Sequence, residues 1–149
     1  MRIARPLGTS HKAGENMAKL IFSGARIVLG LIYFIFGGMG LMIALGVITP
    51  QMPPMTPGAE AFFKGIIGSG YFFPLLKATE TICGLLLLIN VVAPLALVIL
   101  APITLNIILF HAFLTPGAGE QLLPAAMGFL QVVAMAGLLR KYRPLFSKD

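Results

Sequence analysis

PLLKATETICGLLLLINVVAPLALVILAPITLNIILFH, residues 74–111, decides the fold. It is apolar over two lengths that each suit a membrane crossing, broken only at Asn90–Pro94. A helix needs about 20 apolar residues to cross a hydrocarbon core of about 30 Å, so the stretch predicts two spans folded into a hairpin. Within it stand Lys77, Glu80, Asn106 and His111. A charged side chain at the centre of a span costs roughly 2.5–3.5 kcal/mol, so polar groups kept there mark a candidate site.

The remainder agrees with a membrane setting. The 149 residues are 58% hydrophobic and 11% charged, with a mean hydropathy of +0.94. That balance excludes a soluble domain, which must cover itself with polar groups. The net charge of +6 does not point to nucleic acid, because the basic residues gather at the two ends: Arg2, Arg5, Lys12 and Lys19, then Arg140, Lys141, Arg143 and Lys148. Segments between spans hold only Lys64. Lys and Arg near spans stay on the cytoplasmic side, which predicts cytoplasmic termini and an even number of crossings. Four crossings fit the length.

The expected fold is all-α, a four-helix transmembrane bundle with a short interfacial helix in the first outer loop. Residues 1–19 form a basic cytoplasmic tail without apolar period, 20–139 the membrane domain, and 140–149 a second basic tail. The first span is expected over Leu20–Ile48, long enough that it must tilt, bend or protrude, with Gly37, Gly38 and Gly40 the place for a bend, and it is too long and too late for a cleavable signal peptide. Arg26, Gly30, Tyr33, Gly37 and Gly40 share one face that should meet a neighbouring helix or a second copy of the chain. Pro50, Pro53, Pro54 and Pro57 end this helix and lead to a short helix over Ala59–Ser69. Its Phe62, Phe63, Ile66 and Ile67 are expected to face lipid as an interfacial anchor rather than to cover the bundle mouth. The other spans are expected over Tyr71–Ile89, Pro94–Leu114 (bent at Pro102) and Leu122–Leu139, after a polar connector carrying Glu120.

Counting the helical rise of about 1.5 Å per residue from each entry point places Lys77, Glu80, Asn106, Tyr33 and Gln131 about 9–13 Å below the outer boundary, and His111 about 5 Å below it. Six polar side chains from four helices thus form a candidate intramembrane layer. Arg26 lies in the inner half and is expected to snorkel outward to the cytoplasmic side. Lys77 and Glu80, three apart, share a helix face. Two readings stay open: an internal ion pair that lets both enter the bundle, with Asn106 or Gln131 completing the hydrogen bonds, or a ligand pocket in which Lys77 holds an anion or a quinone oxygen and Glu80 carries a proton. His111 is a candidate proton donor or an interfacial histidine bonded to a carbonyl.

The single cysteine, Cys83, permits no internal disulfide or CxxC pair and reads as a small buried apolar residue. His11 falls in the tail, and no zinc spacing, dinucleotide fingerprint or P-loop is present. Catalysis by this chain alone is therefore not expected, nor is a metal or a covalently held cofactor.

The runs ARIVLGLIYFIFGGMGLM, GYFFPLLKATETICGLLLL and VAPLALVILAPITLNIILFHAFL resemble the DoxX family of small bacterial four-span membrane proteins. The likeness extends from Ala25 to Leu139, and rests on Gly70, Tyr71, Lys77, Glu80 and Gly84, on the PLAL that opens the third span, and on the APIxxNIxxFH that ends it. The resemblance implies a multi-pass protein of the bacterial inner membrane. It also implies a redox-associated subunit or anchor that works with a partner oxidoreductase near the quinone pool. It supplies no catalytic residues, and the absence of paired cysteines speaks against direct thiol chemistry. A small-molecule or ion carrier using the polar layer, and a non-catalytic assembly or scaffold protein, remain alternatives.

Overall fold

The computed structural model describes residues 8–51 and 54–146; Arg2, Arg5, Pro53 and Lys148 lie outside them. Helix α1 runs Gly8–Ala44, α2 Pro57–Gly68, α3 Phe72–Leu88, α4 Ala93–Leu114, α5 Ala118–Ala136 and α6 Leu139–Tyr142, and a 3-10 turn follows over Arg143–Phe146. Among the described residues there is no strand. Four long helices close a ring in which α1 packs on α3, α3 on α4, α4 on α5 and α5 on α1.

Two helices are long and apolar enough to cross a membrane: Lys12–Ala44 and Ala93–Leu114. A third crossing arises if α2 and α3, which meet at 91°, are counted as one broken span. Only 28% of the most apolar window of either long helix is buried inside the protein. Their outer faces instead present Leu31, Phe34, Ile35 and Met39 on α1, with Leu95, Val98, Leu105 and Phe113 on α4. Such a belt far exceeds the apolar patches a soluble monomer exposes, and identifies a membrane protein. Helix α3, at 17 residues, is shorter and carries Lys77 and Glu80, while α5 carries Glu120, Gln121 and Gln131.

Local chemistry sets the boundaries. The first helix begins at Gly8, not near Leu20, so part of the expected tail is helical. Ala13, Met17, Ala18 and Lys19 are good helix formers, and an established helix extends at little cost. The expected bend at Gly37, Gly38 and Gly40 is absent as a break, since α1 is continuous to Ala44. The helix ends at Ala44, four residues before the expected Ile48, and Gly46 follows with φ +72°. There the Val47 N–H donates to Met42 O (2.9 Å) and the Gly46 N–H to Ile43 O (3.0 Å). These two bonds satisfy carbonyls that the helix end would orphan. Helix α5 begins at Ala118, four residues before the expected Leu122, taking Glu120 into a first turn whose dipole favours an acidic group. Pro102 and Pro124 sit inside α4 and α5 without ending them.

The turn between α3 and α4 repeats the motif that ends α1, with Asn90 in the left-handed position (φ +58°). The Val91 N–H donates to Leu86 O at 3.1 Å, and the Asn90 N–H to Leu87 O at 3.4 Å. Arg26 reaches across from α1 and donates from Nη1 to the same Leu87 carbonyl. It therefore caps the end of α3 rather than snorkelling freely. Tyr142 is buried and its hydroxyl donates to Pro94 O at 3.0 Å. Burial raises the Tyr142 pKa. Helix α1 and the short α6 thus both fasten the same turn.

Val92 in this turn is strained: it is β-branched, has φ +42° and ψ +33°, and is 52% exposed. The left-handed region costs a non-glycine residue roughly 1–2 kcal/mol. Asparagine tolerates that conformation and is a good N-cap. Val92→Asn is expected to raise the melting temperature of the purified protein by about 2–4 °C, consistent with about 1 kcal/mol in a chain of this size. Circular dichroism on heating would measure it.

Candidate functional site: an aromatic cavity holding an ion pair

The close approach of α1 and α3 is made by glycines, and it builds one wall of the site. A Cβ on Gly84 would lie 2.5 Å from the Phe34 amide nitrogen and 2.9 Å from the Gly30 carbonyl oxygen. One on Gly37 would lie 2.8 Å from Glu80 Cβ, and one on Gly40 2.5 Å from Lys77 Cδ. The expected shared face of α1 is therefore filled by α3 within the same chain, and not left for a second copy.

Against this seam lies a cavity of about 730 Å³. Its walls are apolar and include several aromatic rings: Phe62 and Phe63 come from α2, Phe73 from α3 and Phe110 from α4. Phe110 packs against Phe62 and Phe63 with ring centroids 5.1 and 5.4 Å apart. Phe62, Phe63 and Ile66 thus turn inward to the cavity, correcting the expectation of a lipid-facing anchor, while Ile67 is exposed as expected. The orientation of α2 follows from its ends. Thr56 accepts from the Ala59 N–H (3.3 Å) and donates to Leu114 O (2.5 Å), tying the start of α2 to the end of α4. At the other end, Ser69 Oγ donates to Ile66 O (2.7 Å) and accepts from the Phe72 N–H (3.1 Å), and Gly70 at φ +74° makes the sharp corner into α3.

The polar residues of the cavity are Tyr33, Lys77, Glu80, Asn106 and His111. Lys77 Nζ lies 2.8 Å from Glu80 Oε2, with the two side chains 21% and 3% exposed. Lys77 Nζ also stands 5.9 Å from the centre of the Phe73 ring. An ammonium has three N–H donors. Glu80 takes one, and no other hydrogen bond is formed by Lys77 Nζ among the described residues. His111 Nδ1 is 2.8 Å from Ile107 O. A carbonyl only accepts, so Nδ1 carries a proton and, in the neutral ring, Nε2 is left as an acceptor. The main-chain oxygen of His111 accepts from Gln121 Nε2 at 2.6 Å, which joins α5 to α4 at this end. Asn106 makes no hydrogen bond among the described residues.

Gln131 is not in the cavity. It is buried in an adjoining network, donating from Nε2 to Leu97 O at 2.7 Å. Thr104, which sequence reading passed over, links this network to the cavity wall. Its Oγ1 is 2.6 Å from the Tyr33 hydroxyl, 2.9 Å from Leu100 O and 3.3 Å from Gln131 Oε1. A hydroxyl has one proton, so Tyr33 donates to Thr104 when Thr104 donates onward to Leu100 or Gln131. Tyr33 therefore lends its ring to the cavity while its hydroxyl is committed to the core. A threonine surrounded by Ala101, Pro102, Ile103 and Leu105 was the available signal, since a hydroxyl inside a span needs a partner. Cys83 is buried and has no thiol partner.

Among the described residues no cluster of His, Cys, Asp and Glu could hold a metal. What the cavity can do is bind a flat, lipophilic molecule by its faces and offer hydrogen bonds to its edge from Lys77, Asn106 and His111. No protein-family model, no curated protein and no solved structure matches the chain.

Proposed function

We propose that this chain is a DoxX-like protein of the bacterial inner membrane that binds a lipophilic carbonyl compound of the quinone class and serves as a redox-associated subunit or anchor beside a partner oxidoreductase. The observation that carries the reading is Lys77, paired through one N–H to Glu80 and lining an apolar cavity that includes several aromatic rings. Aromatic faces suit a flat ring, and the ammonium suits a carbonyl oxygen as a charge-assisted donor. The residues thus fit a quinone, which when bound supplies two-electron acceptance from the partner. The chain's own part is to hold the ring between phenylalanines and orient its oxygen on Lys77, with Glu80 holding the ammonium in place.

In this reading α1, α3, α4 and α5 all cross the membrane, with both termini cytoplasmic. The alternation of the ring supports it, because Arg26, the α3–α4 turn and Tyr142 share one end while Lys77, Phe110 and α2 share the other. The basic residues Lys12, Lys19, Arg140, Lys141 and Arg143 fall toward the first end, as the cytoplasmic side requires.

The test is calorimetric titration of the purified protein with a decyl-substituted benzoquinone and with decylbenzene, which has the tail but no oxygen. Hydrogen bonds to a charged group contribute about 1.5–3 kcal/mol, so the quinone should bind at least tenfold tighter. The double variant Lys77→Met/Glu80→Gln should lose that margin. Equal affinity for both compounds would sink the proposal.

A further inference from the structure

We infer that the cavity has a side door for an aliphatic tail, between α2 and α4, so that its ligand is a tailed amphiphile whose head is inside and whose chain runs out into the lipid. The inference rests on the ligand-binding reading above and adds to it the route and the form of the molecule.

A second, smaller cavity of about 240 Å³ adjoins the first. The two share Phe62, Asn106 and Phe110, so those three side chains form the partition between them. Beyond the partition the smaller cavity is lined by Leu109, Phe113 and Leu114, with no charged group. Leu109 and Phe113 belong to the exposed apolar belt of α4, so this cavity lies on the surface that meets acyl chains. Phe62 and Phe110 are held by ring contact at 5.1 Å rather than by hydrogen bonds, and a ring contact can open by side-chain rotation. Asn106 stands at the threshold with its amide unpartnered among the described residues, where it can bond an oxygen on the head as the tail passes.

The chemistry selects the occupant. A headgroup with charge would meet no partner in the smaller cavity, and burying it unpaired would be costly. A hydrocarbon chain meets apolar walls and continues into lipid without exposing an end. It therefore keeps the head from diffusing along the membrane while leaving the tail solvated by its own kind.

The experiment compares a methyl-substituted benzoquinone with its decyl homologue on wild type and on Leu109→Trp, which fills the smaller cavity without touching the larger. Detergent takes up the decyl compound equally in both samples, so the comparison between proteins cancels that effect. A tail displaced by the variant stays in detergent rather than water, so the gain comes from packing against the cavity walls, and wild type should favour the decyl homologue over Leu109→Trp by about fivefold. The methyl compound should bind both proteins alike, and that binding also reports that the variant is folded. Phe113→Trp is a second substitution in the same cavity and should act in the same way. If both tryptophan variants keep the full tail preference while binding the methyl compound, the side door is refuted and the head site stands. If wild type binds neither homologue, the head site fails and the side door fails with it.

Discussion

Gly84→Ala is expected to cost about 3 kcal/mol, and Gly84→Val to prevent recovery of folded protein. An added Cβ would stand 2.5 Å from the Phe34 nitrogen and 3.0 Å from its Cα. Overpacking typically costs about 1–3 kcal/mol when side chains can shift, but here the obstacle is the backbone of α1, so the upper end applies. Relief requires the two helices to separate, which would also unseat Gly30 against Leu87 and Gly37 against Glu80. Thermal unfolding followed by circular dichroism should show Gly84→Ala melting about 6–12 °C below wild type. Gly65→Ala is the comparison: it lies within α2 with open space around it, and should be neutral or gain up to about 1 kcal/mol from helix propensity. A melting temperature for Gly84→Ala within 2 °C or so of wild type would mean that the helices are not held this close.

The second large effect concerns the ion pair. Lys77→Met should destabilise the protein by about 3 kcal/mol, because it leaves the Glu80 carboxylate, 3% exposed, without its only hydrogen-bond donor among the described residues. The lower end of the usual range is appropriate since the Lys77 side chain retains 21% exposure. Adding Glu80→Gln removes the uncompensated charge and should recover most of that loss, while the preference for quinone over decylbenzene stays lost. Stability and binding thus separate. If Lys77→Met alone melts like wild type, Glu80 has another source of compensation. If the double variant binds quinone normally, the pair serves only the fold.

Much of this architecture could be read from residue patterns. The α3–α4 hairpin was legible because Asn90 interrupts two apolar runs and can adopt the left-handed turn. That Gly30, Gly37 and Gly40 share a face meeting a neighbouring helix followed from helical spacing, but not that the neighbour is α3. What escaped was rotation about the helix axes. Counting residues from a membrane boundary gives height but not azimuth, so it grouped Gln131 with Lys77, whereas Gln131 bonds Leu97 O outside the cavity. The direction of α2 escaped for a related reason. Phenylalanines that face lipid and those that face an apolar cavity have the same hydropathy, and only the Thr56 and Ser69 hydrogen bonds decide between them. The early start of α1 was hidden because polar composition suggests solvent exposure, while a solvent-exposed segment can still be helical.

Gly40 offers a way to adjust the cavity without altering any polar atom. The aliphatic stem of Lys77 occupies the space that a side chain at position 40 would need, with Cδ, Cε and Cγ all within 3.0 Å of the missing Cβ. A lysine stem is flexible and its far end opens on the cavity, so a methyl group there would act as a spacer behind a piston, driving the ammonium forward instead of prising the helices apart. Small changes at this position on α1 would then set how deep a ligand can sit, and a family of such chains could tune ligand size from a residue the ligand never touches.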